Sequence, residues 1–131
     1  MIKKRFTIYA RNLKSLMLSI VMNIFQNNTY KVNRGIAKGL RRKGGLGFVP
    51  SYSNQTNEDS FLIEQQSLLE NKIVYDIGAN NGLFSLFFAR AVGPKGQVLA
   101  IEPNPACFKQ LSDNISINNF SNVRACKFAI G

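Results

Sequence analysis

The chain has 131 residues, 45% of them hydrophobic and 18% charged, with a formal net charge of +10. That size and composition suit one small globular domain with a core of its own. The two cysteines, Cys107 and Cys126, share no metal-type spacing and the chain has no histidine, so a metal centre and a disulfide framework are both excluded as expectations.

The charge is lopsided. Met1 to Pro50 holds eleven of the 17 basic residues and no acid, whereas Ser51 to Gly131 holds the other six with all seven acids. The basicity therefore belongs to a leader, which can meet the phosphate of a nucleic acid or of a lipid head group, or simply form a solvated helix face. Within it, Ile2, Phe6, Tyr9, Leu13, Leu16, Met17, Ile20, Val21 and Ile24 recur at steps of three and four and predict an amphipathic helix. The densest apolar stretch, Leu16 to Phe25, is interrupted by Ser19 and Asn23 and falls short of the roughly 20 residues of a bilayer span. The segment Asn27-Asn28-Thr29-Tyr30 offers no small-x-small cleavage site. Export is rejected on that ground, leaving a cytoplasmic protein, with a helix packed on its own domain or a partner, or lying peripherally on a membrane surface.

Gly35 to Gly47 contains five glycines, which forbid a long helix, and Arg41-Arg42-Lys43 beside Gly44 and Gly45 predicts a solvated turn or a phosphate-seeking loop. Pro50 to Asp59 reads as a polar linker. Asn57 or Asp59 is placed to cap a helix over Ser60 to Leu69. Strand and helix patterns then alternate. A strand is expected over Ile73–Ile77 and a helix over Leu83–Val92 with Leu83, Leu86, Phe87 and Ala91 inward. Gly93-Pro94-Lys95-Gly96 stops that helix. A strand follows over Gln97–Ile101, then a helix from Pro105 to about Ile117 with Phe108, Leu111 and Ile115 inward, then a strand over Val123–Ile130. The domain plan is a leader over residues 1–50, a linker and helix over 51–72, and an α/β unit over 73–131.

Strand, glycine turn, helix, strand and terminal acid make the nucleotide-binding half of a Rossmann-like, doubly wound parallel α/β sheet. Three strands are about half of such a sheet, which predicts that the chain is the N-terminal part of a longer protein. Asp76-Ile77-Gly78-Ala79-Asn80-Asn81-Gly82 departs from the G-x-G-x-x-G of nicotinamide-binding folds, because Asn80 stands where the middle glycine would touch a pyrophosphate.

D-x-G-x-x-x-G resembles motif I of class I S-adenosylmethionine-dependent methyltransferases. The run D-I-G-A-N-N-G-L-F-S-L-F-F-A, then E-P-N-P, then L-x-x-N-I-x-I-N-N and A-I-G, resembles the FkbM family of methyltransferases, continuously from about Lys38 to Gly131. The resemblance implies S-adenosylmethionine as cofactor. Its amino-acid end would lie along Gly78, Ala79, Asn80, Asn81 and Gly82, with Asp76 attracting the ammonium and Glu102 accepting from the ribose hydroxyls. Pro103 and Asn104 would border the adenine. It also implies methyl transfer to a hydroxyl of a sugar, lipid or secondary metabolite. The family's later acid-bearing strand end has no counterpart before Gly131, so no catalytic residue is assigned. The competing expectations are plain: Asp76 as a brace for the turn, Gly78 and Gly82 as packing glycines, and Asn80 and Asn81 as caps of the following helix. Rival functions are a nucleic-acid methyltransferase using the basic leader, a nicotinamide enzyme, and a non-enzymatic membrane-surface or interaction module. Oligomeric state is left open.

Overall fold

The computed structural model describes residues 16, 17, 20, 27–44 and 57–130. Leu16, Met17 and Ile20 are helical and more than half their apolar side-chain surface, or close to it, meets solvent. The rest of the expected leader helix, the glycines Gly45 and Gly47, and the start of the polar linker lie outside the described residues.

Two short strands open the ordered fold. β1 (Thr29–Lys31) pairs antiparallel with β2 (Arg41–Lys43), with Tyr30 opposite Arg42. Arg41-Arg42-Lys43 is therefore a strand rather than the expected solvated turn or phosphate-seeking loop. The connection folds back on itself through Val32 N–H to Leu40 C=O at 2.8 Å and Gly39 N–H to Val32 C=O at 2.8 Å, and it buries Ile36 and Ala37 almost completely. Glycines at Gly35 and Gly39 take positive φ there, so the same residues that forbid a long helix permit a tight hairpin end.

α1 (Asn57–Gln65) begins before Ser60 and runs into a 3-10 turn over Gln66–Leu69. The helix thus starts three residues earlier than expected, with Asn57 as its first residue and Asp59 within its first turn. The remaining elements are β3 (Ile73–Ile77), α2 (Leu83–Val92), β4 (Gln97–Ile101), α3 (Pro105–Ile117) and β5 (Val123–Cys126). β5 stops four residues short of the expected Ile130. The neighbour that would continue the ladder ends at Ile101, and the last bond between the two chain segments is Glu102 N–H to Cys126 C=O at 3.0 Å.

The three strands lie in the order β3-β4-β5, all parallel, with Ile73 opposite Gln97 and Val98 opposite Val123. Sequential parallel strands joined by right-handed crossovers place both connecting helices on one face. That face carries two apolar clusters. Ala89 and Val92 of α2 pack on Val98, with Leu69 and Val74 alongside; Leu111 and Ile115 of α3 pack on Ala79 and Ala100. Phe120 and Val123 touch both clusters and join them into one core. Leu86, Phe87, Val92 and Leu111 are completely shielded, each side chain contributing about 1.5–3 kcal/mol by its removal from water. The opposite face is open: Ile73, Tyr75 and Ile77 are each about two-thirds exposed. Among the described residues no helix is long and apolar enough to cross a membrane.

Candidate functional site

The C-terminal ends of β3 and β4 lie side by side, Ile77 opposite Ile101, and this brings the glycine turn against the acid that follows β4. Gly78 N–H and Ala79 N–H both donate to Ile101 C=O, at 2.9 and 3.0 Å, so the turn is stitched to the neighbouring strand tip. Asn80 adopts the left-handed conformation, φ 51°, and points its N–H at Glu102 Oε2, 2.8 Å away. Glu102 Oε1 accepts from Asn104 N–H, also at 2.8 Å. A buried carboxylate thus has one backbone donor on each oxygen and keeps a second lone-pair position on each.

The two turn glycines do different work. Gly82, at φ 88°, is the N-cap of α2, and a Cβ built there would lie 2.8 Å from Leu111 Cδ1. It is the point at which α2 and α3 close on each other. Gly78, at φ 78°, is exposed, and a Cβ there would meet nothing within 4 Å. Its missing side chain opens space for a ligand rather than for packing.

Asp76 is buried one residue before the strand end and accepts from Ser85 Oγ at 2.5 Å. Burial pushes its carboxyl above the ordinary aspartate range, while the Ser85 hydroxyl and N–H pull the other way. The brace expected of Asp76 is therefore present, from strand to helix. Neither Asn80 nor Asn81 caps α2: the N-cap is Gly82 and the cap makes no side-chain bond. Both asparagines lie before the N-cap, with the Asn80 N–H turned to Glu102 and the Asn81 C=O accepting from Asn114. Asn104 does cap a helix, its Oδ1 accepting from Ala106 N–H at 2.9 Å and Cys107 N–H at 3.2 Å, with Pro105 in the first turn of α3. Pro103 and Asn104 are exposed and form the outer rim beside Glu102.

The structure therefore gathers Gly78, Ala79, Asn80, Asn81, Glu102, Pro103 and Asn104 at one end of the sheet, with Asp76 and Gly82 behind them. Two residues outside that set belong to its support. Ser85 holds Asp76, and fully buried Asn114 donates from Nδ2 to Asn81 C=O at 2.7 Å. Each is a polar side chain on an otherwise apolar inward stripe, Ser85 next to Leu86 and Asn114 between Leu111 and Ile115. That interruption is the sequence signal that would have found them. A depression of about 430 Å³ lined by Ile73, Tyr75, Gln97 and Arg124 lies at the opposite ends of the strands and is no part of this site. Among the described residues no group of acids and cysteines is arranged to hold a metal.

A sequentially ordered parallel sheet, a glycine turn after its first strand and an acid at the tip of its second make up the nucleotide-binding half of a Rossmann-like sheet. A candidate methyltransferase, yhhF, from Escherichia coli shares this fold with a TM-score of 0.55 at 17% identity, over 78% of this chain and 54% of its own. Residues 76–127 match the model of the methyltransferase FkbM domain. It is 43% identical over 60 residues to methyltransferase sdnD of Sordaria araneosa, covering 45% of this chain and 23% of that one. It is 34% identical over 62 residues to methyltransferase 1 of Beauveria bassiana, covering 47% and 24%. The chain thus spans about a quarter of the length of these curated relatives.

Proposed function

We propose that the chain forms the cofactor-binding part of an S-adenosylmethionine-dependent methyltransferase acting on a hydroxyl of a sugar, lipid or secondary metabolite. The observation that carries the reading is Glu102: a buried carboxylate at a strand tip, fixed through Asn80 and Asn104, with a free acceptor position on each oxygen. A vicinal ribose diol supplies the two donors that geometry asks for.

Three features support the fit of the whole group. Gly78 leaves open space beside Glu102 where an amino-acid end can lie against backbone. Asn80 in place of a middle glycine suits a cofactor with no pyrophosphate. Asp76, disfavoured as an anion by burial, gains from a cationic ammonium nearby. The bound cofactor would supply an electrophilic methyl group on a sulfonium. The chain's own contribution is to hold that group in one orientation, through the turn and Glu102, so that an acceptor oxygen meets it in line. The hydroxyl acceptor rests on the family resemblance.

Transfer of label from methyl-labelled S-adenosylmethionine to a panel of hydroxyl-bearing sugars, lipids and small metabolites tests the reading. Label in an ether or ester product, lost in Glu102→Ala, is the expected result. Label found only in added RNA would replace the acceptor class with nucleic acid.

A further inference from the structure

Asn114 lies in the middle of α3 with both ends of its side-chain amide engaged across the chain. Its Oδ1 accepts from Lys43 N–H of β2 at 2.7 Å, and its Nδ2 donates to Asn81 C=O in the glycine turn at 2.7 Å. We propose that Asn114 is a positioning residue for the cofactor turn, and that through it the β1–β2 hairpin takes part in cofactor binding. The inference rests on reading Gly78 to Gly82 as the cofactor turn.

The position does not need a polar residue for packing. Leu111 and Ile115 flank it on the inward stripe, and all three are buried. An amide here costs free energy unless its bonds are made, so its value lies in the groups it joins. Those groups are the ones most in need of fixing. The turn holds three residues at positive φ, Gly78 at 78°, Asn80 at 51° and Gly82 at 88°. Such backbone persists only where the surroundings determine it. Glu102 holds the N–H of Asn80 and Asn114 holds the C=O of Asn81, so the peptides on either side of the Asn80–Asn81 link are each fixed by a side chain from another element.

The other end of the link is equally built. One helical turn along α3, Asn118 accepts from Arg41 N–H at 2.8 Å and donates to Arg41 C=O at 2.7 Å, as a neighbouring strand would. It also donates to Asn114 C=O at 2.8 Å. Lys43 Nζ meets Asp113 Oδ2 at 2.9 Å. From α2, Arg90 donates to Ile36 C=O and Lys38 C=O at 2.6 and 2.7 Å, gripping the far end of the hairpin. The hairpin is thereby one hydrogen-bonded step from the turn.

Coupling of this kind is reciprocal: what orders the turn orders the hairpin, and the converse. The test is amide hydrogen exchange of the whole chain, free and saturated with S-adenosylhomocysteine, for wild type, Asn114→Leu and Asn118→Ala. Leucine keeps the number and branching of the side-chain heavy atoms while removing both bonds, at the cost of some added bulk. In wild type, the ligand should slow exchange at Lys43 and Arg41 by about five-fold or more, a typical coupling. Asn114→Leu should stay folded, bind about ten-fold more weakly and lose that protection. Asn118→Ala should keep the Asn81 bond, exchange faster at Arg41 and weaken binding less. Wild type that binds with no change at Lys43, or a folded Asn114→Leu that binds as wild type does, overturns the proposal and leaves the cofactor reading standing. Should Asn114→Leu not fold, the Lys43 result in wild type and the affinity of Asn118→Ala decide. Wild type that does not bind the ligand removes both readings together.

Discussion

The N–H of Asn80 lies 2.8 Å from Glu102 Oε2, joining the turn after β3 to the acid after β4 across 22 positions of sequence. The same carboxylate takes Asn104 N–H on its other oxygen, so one side chain sets the spacing of two loops. Glu102→Gln offers only one acceptor to these two donors. It should lower stability by about 1–3 kcal/mol, the cost of a buried donor left without its acceptor, measured by urea denaturation. It should also weaken S-adenosylhomocysteine binding by at least about ten-fold, since one charge-assisted ribose bond is lost with it.

Gly78 and Gly82 should respond differently to alanine. At Gly82 the added Cβ lies 2.8 Å from Leu111 Cδ1 at φ 88°, so Gly82→Ala should destabilise the fold by about 2 kcal/mol or more from clash and left-handed strain together. At Gly78 nothing lies within 4 Å, so Gly78→Ala should cost only the conformational strain, about 1 kcal/mol. Its larger effect should be on ligand affinity. Equal loss of melting temperature in the two variants, with affinity unchanged in Gly78→Ala, would return both glycines to a packing role.

Asp76 should make cofactor affinity depend on pH. Burial raises its folded-state pKa above the ordinary aspartate value, so the folded chain holds this proton more tightly than the unfolded chain. Stability from this group therefore falls as pH rises from the ordinary aspartate range through the raised value. A cationic ammonium nearby favours the anion, so ligand binding should release the proton and tighten as pH rises through that same window. Calorimetry in buffers of different ionisation enthalpy reads the release directly. Asp76→Asn should abolish the release, lower affinity and, at neutral pH, raise the melting temperature.

Asp113 has the opposite sign. The Lys43 ammonium first, then Lys109, holds its carboxyl below the ordinary aspartate value. Its contribution is present above the ordinary aspartate range and disappears as pH falls through the lowered value. The pair is partly exposed and contributes about 0.2–1 kcal/mol at most. Asp113→Asn should therefore leave global melting nearly unchanged at neutral pH, while Lys43 amide exchange rises modestly in NMR.

The bounds of β3, α2, β4 and α3 were legible in the sequence because each carries a local signal. Ile73–Ile77 and Gln97–Ile101 are short apolar runs between turn residues, Gly93 and Pro94 end α2, and Asn104 with Pro105 opens α3. The hairpin was not legible. Thr29–Lys31 and Arg41–Lys43 show no alternation, and what anchors β2 and the connection before it is Asn114, Asn118 and Arg90, 52 to 77 positions away. Long-range polar contacts leave no periodic trace. In the site, Asp76 and Glu102 were legible as an acid before the glycine turn and an acid at the next strand tip. The division of labour between Gly78 and Gly82 was not, since it depends on where Leu111 falls in space.

Calorimetric titration of the chain with S-adenosylhomocysteine, beside the Asp76→Ala, Glu102→Ala double variant, tests the central claim most directly. The account predicts one-site binding by wild type and none by a double variant that circular dichroism shows to be folded. Folded wild type that takes up no ligand, or a double variant that binds as tightly as wild type, would contradict it.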